Sequence, residues 1–287
     1  MLQIEPFFDQ VTATFTYVIW DEATLAAAVI DPVLDYDQYA GKVSTKSADR
    51  VVAFIMEHRL ILEYILETHI HADHITAARY IKGILGGKVG IGRGILAVLL
   101  HWVPAFNSGA DTPMDGSQFD LLFDDGDEFA LGESRVRVMH TPGHTPACAS
   151  YLAGESAVFV GDTLFMPDVG TARTDFPGGD ARQLYRSIQK LFALSGDTRV
   201  FVGHDYPVPP RKEKCYATID EQKAHNALIN DAISEEEYVT ARNQRDQGKP
   251  VPKLLLPAIQ VNMRCGDFGA RETNGMHYVK VPIAFEQ

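Results

Sequence analysis

Basic residues are scarce in this chain: 26 Lys and Arg stand against 38 Asp and Glu, a formal net charge of −12 at pH 7. Nucleic-acid grooves need a positive surface, so no nucleic-acid partner is expected. A small anionic ligand remains compatible, because a few local arginines outweigh the mean field. Cysteine is scarcer still, with Cys148, Cys215 and Cys265 as the whole set and no CxxC spacing among them. An odd set of thiols argues against a disulfide framework and for a reducing compartment, and the cytoplasm is the expected location. Long apolar runs are also missing. The nearest, GILAVLLHWVPAF, is shorter than the roughly 20 residues of a membrane helix and carries a histidine and a proline. The opening MLQIEPFFDQ has neither the basic start nor the apolar core of a signal peptide. No membrane partner is expected.

What is present is the make-up of a globular enzyme: 46% apolar and 22% charged residues, enough of each for one large core and a solvated surface. TATFTYVIWD and LAAAVIDP read as two strands of a hairpin turning at DEAT. SADRVVAFIMEHR has helical spacing, LEYILETH reads as a buried strand, and DHITAARYIKGIL returns to helical spacing. Three strand-like runs, SRVRVM, ACASYLAG and SAVFVG, precede the amphipathic helix DARQLYRSIQKLFAL. A further strand, TRVFVG, and two polar helices, TIDEQKAHNALIND and SEEEYVTARNQRDQ, come later. Strand groups alternating with helices predict α/β layers, sheets covered by helices. One domain is expected over 1–287. Within it 86–118 reads as a loop insertion with room for a short helix at its centre, and about 207–287 as a C-terminal extension.

The chemistry is concentrated in ETHIHADHITAARY, residues 67–80. His69, His71, Asp73 and His74 fall within six positions of a chain that has ten histidines in all. Burying them unpaired would cost roughly 1–3 kcal/mol per group, so an ion among them is the economical reading. Three more strand ends carry the same residue types: His144 in HTPGHT, Asp162 after AVFVG, and His204 after RVFVG. Loops at one sheet edge gather active sites, and imidazole with carboxylate suits zinc, iron or manganese. Single histidines such as His58, His101, His225 and His277 are expected to be ordinary surface or packing residues.

The pattern His69-x-His71-x-Asp73-His74, followed in order by HTPGHT, GD and GHDY, resembles the metallo-β-lactamase superfamily over residues 11–206. That resemblance implies an αββα sandwich of two mixed sheets flanked by helices, with metal at one edge. In the binuclear members His69, His71 and His144 form one site, and Asp73, His74 and His204 the other, with Asp162 bridging. ARTDF (172–176), GHDY (203–206) and VNMRCG (261–266) are similar to the persulfide dioxygenase family. This implies one Fe(II) per chain on His69, His144 and Asp162, with the remaining ligands left to orient them. It further implies oxidation of glutathione persulfide, or a related low-molecular-weight persulfide, by O₂ to sulfite and thiol.

The alternative is a glyoxalase II-like hydrolase of a thioester with two Zn(II) per chain. A non-catalytic descendant of the scaffold is disfavoured, because every ligand position is filled. Arg173 and Tyr206 are the expected substrate-binding residues, with a structural salt bridge from Arg173 to Asp175 or Asp205 as an equal alternative. Arg211, Lys212 and Lys214 are further candidates for substrate carboxylates, and Arg264 and Cys265 stand out in the tail. The dioxygenase family carries Cys-Gly before its Arg-Thr-Asp-Phe where this chain has Thr171-Ala172, a difference that bears on the substrate. A homodimer is the expected assembly.

Overall fold

The structure is a computed structural model describing residues 1–207 and 209–285. In chain order it begins with strands β1 (Leu2–Asp9), β2 (Thr14–Asp21), β3 (Ala26–Ile30), β4 (Val33–Asp37) and β5 (Lys42–Ser44). Helix α1 (Lys46–Glu57), strands β6 (Ile61–Glu67) and β7 (Ile75–Thr76), helix α2 (Ala78–Leu85), strand β8 (Lys88–Gly92) and helix α3 (Ile95–Ala105) follow. Next come β9 (Leu121–Phe123), β10 (Glu128–Leu131), β11 (Ser134–His140), β12 (Ala149–Ala153) and β13 (Ala157–Phe159). The chain then runs through α4 (Ala181–Phe192), β14 (Arg199–Phe201), β15 (Tyr216–Thr218), α5 (Ile219–His225), α6 (Glu235–Asp246) and α7 (Leu255–Met263).

Two six-stranded sheets result, ordered β1-β2-β3-β6-β8-β9 and β10-β11-β12-β13-β14-β15, with a small third sheet β5-β4-β7. The first is mixed, antiparallel from β1 to β3 and parallel from β3 to β9. In the second only β13 and β14 run parallel.

Successive residues of a strand face opposite sides, and β2 shows what this achieves. Tyr17 and Ile19 point into a core shared with Tyr151, Phe159 and Phe201 of the second sheet. Val18 points the other way, into a core with Val51 and Ile55 of α1, Ile81 of α2, Leu99 of α3 and Ile259 of α7. A third core joins Val158 and Val200 to Leu184 and Ile188 of α4, Ile219 of α5 and Tyr238 of α6. Three cores separate four layers, helix on sheet on sheet on helix, which is the αββα architecture.

Two local expectations are corrected. The Gly-rich start of 86–118 is not loop: β8 is an interior strand of the first sheet with Val89 and Ile91 buried, and α3 occupies the centre of the segment. Its glycines read as loop formers, yet Gly90 serves close packing, since a Cβ there would lie 2.4 Å from the Phe123 ring. The helix expected from Asp73 starts only at Ala78, because Ile75–Thr76 pairs with β4 instead. The helices of the C-terminal stretch are woven into both outer cores, α7 on one side and α5 and α6 on the other. Among the described residues no helix is long and apolar enough to cross a membrane.

Candidate metal centre

Strand β6 ends at Glu67 and the chain turns at once, setting His69, His71 and His74 inside the molecule with 1% exposure each. The ends of β11, β13 and β14, in the other sheet, deliver His144, Asp162 and His204 to the same edge. All seven predicted ligands therefore meet. They fall into two groups whose donor atoms lie within 4.8 Å of one another: His69, His144 and Asp162, and His71, Asp73, His74 and His204.

The groups differ in how they are knitted. In the first, the Nε2 atoms of His69 and His144 stand 4.0 and 3.6 Å from Oδ2 of Asp162, too far for hydrogen bonds. In the second, Oδ2 of Asp73 lies 3.2 Å from His74 Nδ1, 3.3 Å from His204 Nε2 and 3.4 Å from Thr14 Oγ1.

Each imidazole is aimed by its other nitrogen. His144 Nδ1 donates to the Arg173 carbonyl at 2.7 Å, and His204 Nδ1 donates to the Ala13 carbonyl at 3.2 Å. Thr68 Oγ1 donates to Asp31 Oδ2 at 2.7 Å and accepts from His69 Nδ1 at 3.0 Å. His71 Nε2 donates to Asp31 Oδ1 at 3.0 Å and lies 3.4 Å from Glu67 Oε2. Such partners set the tautomer and direct the free nitrogen toward an ion.

The free atoms are the test of whether an ion fits. His71 Nδ1, His74 Nε2 and Asp162 Oδ1 are buried without a hydrogen-bond partner in the structure. Orphaned buried polar atoms cost roughly 1–3 kcal/mol each, and cations held in the two groups would satisfy them. The residues fit a metal.

Charge follows the same logic. Burial pushes His69 well below the usual imidazole range, helped by neighbouring His71 and His144, which leaves it a neutral ligand. Burial opposes the charge on Asp73, but His204 and His74 outweigh it and hold the carboxyl well below its ordinary value. His71 is raised against its own burial by Asp31 and Glu67. Glu67, buried beside the negative charge of Asp31, is raised.

A cavity of about 290 Å³ opens over Asp73, His144 and Asp162. Its walls include Phe165, Phe176, Tyr206, Arg173, Arg245 and Lys249. Arg173 lies there as expected, but its guanidinium is engaged bidentately by Asp175 at 2.6 Å and by the Pro250 carbonyl at 2.7 Å. Tyr206 is half-exposed and stacks on His204, with centroids 5.8 Å apart. Arg245 is exposed at the wall without an ion-pair partner among the described residues. Arg211 is a clamp on Asp205 (2.6 Å) and Asp168 (2.8 Å). Cys265 is a buried thiol pushed up to about 12. Behind His144 and Phe176 lies a second, apolar recess of about 20 Å³, lined by Ile70, Val98, Trp102, Leu255 and Ile259.

Sequence reasoning missed Asp31, Thr68 and Glu67, and also Asn262, described below. Asp31 had a signal: LAAAVID ends a strand in aspartate as AVFVGD does.

The fold and the site together define a metal-binding enzyme of the αββα kind. The family model for the metallo-β-lactamase superfamily matches residues 10–204, and the chain belongs to that superfamily of metal-dependent enzymes. It is 46% identical to Glyoxylase B2 of Dictyostelium discoideum over 99% of this chain and 97% of that one. It is 31% identical to the mitochondrial persulfide dioxygenase ETHE1 of Homo sapiens, over 92% and 88%. The crystal structure of ETHE1 from Myxococcus xanthus superposes with a TM-score of 0.74 at 33% identity, covering 92% of this chain and all of that one.

Proposed function

We propose that the chain is a persulfide dioxygenase holding one Fe(II) on His69, His144 and Asp162. The observation that carries this reading is the contrast between the two ligand groups. His69 and His144 make no hydrogen bond to Asp162 and leave room for an ion among the three, while Asp73 accepts hydrogen bonds from His74 Nδ1 and Thr14 Oγ1; His204 Nε2 lies 3.3 Å from a carboxylate oxygen of each group. Two histidines and one carboxylate are the facial set of non-haem iron oxygenases, which leaves coordination positions open. Likeness to the ETHE1 proteins supports it.

The balanced reaction is RSSH + O₂ + H₂O → RSH + H₂SO₃, the outer sulfur being oxidised and O₂ reduced. Iron bound there would supply the open positions for thiolate and O₂ and a relay for the electrons passing from sulfur to O₂. The protein's part is to place the reactants. Arg245 and Lys249 offer positive charge at the wall of the larger cavity, suited to carboxylates of glutathione or a similar carrier. The apolar recess behind His144 suits a small neutral molecule such as O₂. The two compartments meet at His144 and Phe176, which line both.

A second reading, a binuclear Zn(II) hydrolase of a thioester, is favoured by the orphaned His71 Nδ1 and His74 Nε2, which a second ion would satisfy. Metal content per chain after purification without added metal, with oxygen consumption on glutathione persulfide, separates the two. About one iron with oxygen uptake and sulfite release is the expected result. Close to two zinc ions without oxygen uptake overturns the dioxygenase and turns attention to thioesters.

A further inference from the structure

The tail motif VNMRCG has no part in the chemistry above, yet it reaches the ligand turn. Asn262, on α7 and 2% exposed, uses every polar atom of its side chain there. Its Nδ2 donates to the carbonyls of His71 and His74 at 2.9 and 2.8 Å, and its Oδ1 accepts the Thr76 N–H at 2.9 Å. One amide thus ties three peptide groups of the turn that carries four of the seven ligands. Thr76 Oγ1 in turn donates to Glu67, whose other oxygen faces His71.

The rest of the motif secures this reach. Gln118 Nε2 donates to the Met263 carbonyl at 2.7 Å. Gly266, with φ of +84°, passes within van der Waals reach of the Thr76 carbonyl, where a Cβ would come to 3.2 Å.

We propose that Asn262 is a positioning residue of the metal centre, holding the backbone of residues 71–76 so that the ligand imidazoles keep their places. The pattern is specific to asparagine. Aspartate cannot donate, leucine can do neither, and glutamine is one carbon too long for the same three contacts. The inference rests on the metal centre and not on which reaction that centre performs.

The test uses the full chain loaded with Fe(II) or Zn(II). Asn262→Asp and Asn262→Leu are expected to release metal to a chelator roughly tenfold faster or more than wild type, the usual scale for partners of ligands. Gln260→Ala removes a buried amide of the same helix that bonds Leu256 and Lys280 instead, and is expected to hold metal as wild type does. Release within twofold of wild type from an Asn262 variant, with only its melting temperature lowered, would show a merely structural residue and overturn the proposal.

A second measurement needs no variant. Hydrogen exchange of the wild-type chain is expected to slow in 69–77 and 255–266 together when metal is added, and no change in 255–266 overturns it. A protein that binds metal but consumes no oxygen would sink the dioxygenase and leave both readouts intact.

Discussion

The imidazole of His71 and the carboxylate of Asp31 are 3.0 Å apart, both nearly sealed from solvent, and forty residues separate them in the chain. Asp31 also accepts the backbone N–H and the hydroxyl of Thr68, and that hydroxyl holds His69. One carboxylate therefore orients two ligands of the ligand turn. The substitution Asp31→Asn is expected to weaken metal retention by about 10- to 100-fold, the range seen for such partners. Chelator competition would measure it, and unaltered retention would refute the role.

The same pair sets a pH dependence in metal-free protein. His71 is raised in the folded state, so its stabilisation is complete below about pH 6.5 and is lost as pH rises through the raised value. Asp31 has its charge opposed by burial but is lowered by His71, so its share is present above about pH 3.9 and is lost as pH falls through the lowered value. His69, which burial drives down, is neutral above about pH 6.5 both folded and unfolded. Urea unfolding of the metal-free protein should therefore show stability falling above about pH 6.5. Asp31→Asn should flatten that slope, and an identical slope in the variant would refute the assignment.

Removing ligands one at a time separates the two functional readings. If one iron sits on His69, His144 and Asp162, then His71→Ala and Asp73→Ala keep about one iron per chain and part of the oxygen uptake. A binuclear hydrolase would instead lose an ion and nearly all activity in both variants. Elemental analysis of the two proteins decides.

Arg242 and Asp246 form a buried bidentate pair on α6, with 2% and 4% of the side chains exposed. Arg242 also bonds the Thr171 carbonyl at 2.9 Å, and Asp246 accepts the Thr174 N–H at 2.8 Å. They fix the loop whose Arg173 carbonyl aims His144. Arg242→Ala leaves a buried carboxylate with the Thr174 N–H and Lys249, 3.4 Å away, as its remaining partners and should cost roughly 3–5 kcal/mol. Denaturant unfolding would read the loss, and a change below about 1 kcal/mol would contradict the pair's structural weight.

The apolar recess makes a prediction about O₂. Val98→Phe should fill it at a packing cost of about 1–3 kcal/mol, raising KM for O₂ while leaving KM for the persulfide near wild type. Xenon diffused into crystals of the wild-type protein should bind beside Val98 and Ile259. An empty recess under xenon, with KM for O₂ unchanged in the variant, would remove O₂ from that compartment.

Much of this protein is determined locally. The strands and most helices follow from side-chain period, and helices α5 and α6 open with the capping pairs Thr218–Glu221 and Ser234–Glu237, written in the sequence itself. The seven candidate ligands were legible because histidines and aspartates crowd the ends of strands, where a turn can present them. Tertiary structure alone decided the rest. Whether Gly90 belongs to a loop or to an interior strand depends on the Phe123 ring that fills the missing Cβ, a contact invisible to any local window. Asp31 and Asn262 meet His71 only after forty and 191 residues of chain have been folded back. For Arg173 the sequence offered both a substrate carboxylate and a salt bridge to Asp175; the salt bridge formed, and the fold added the Pro250 carbonyl from 77 residues away. Side-chain chemistry is a property of the residue, but the direction of a hydrogen bond belongs to whatever the packed layers bring within about 3 Å of it.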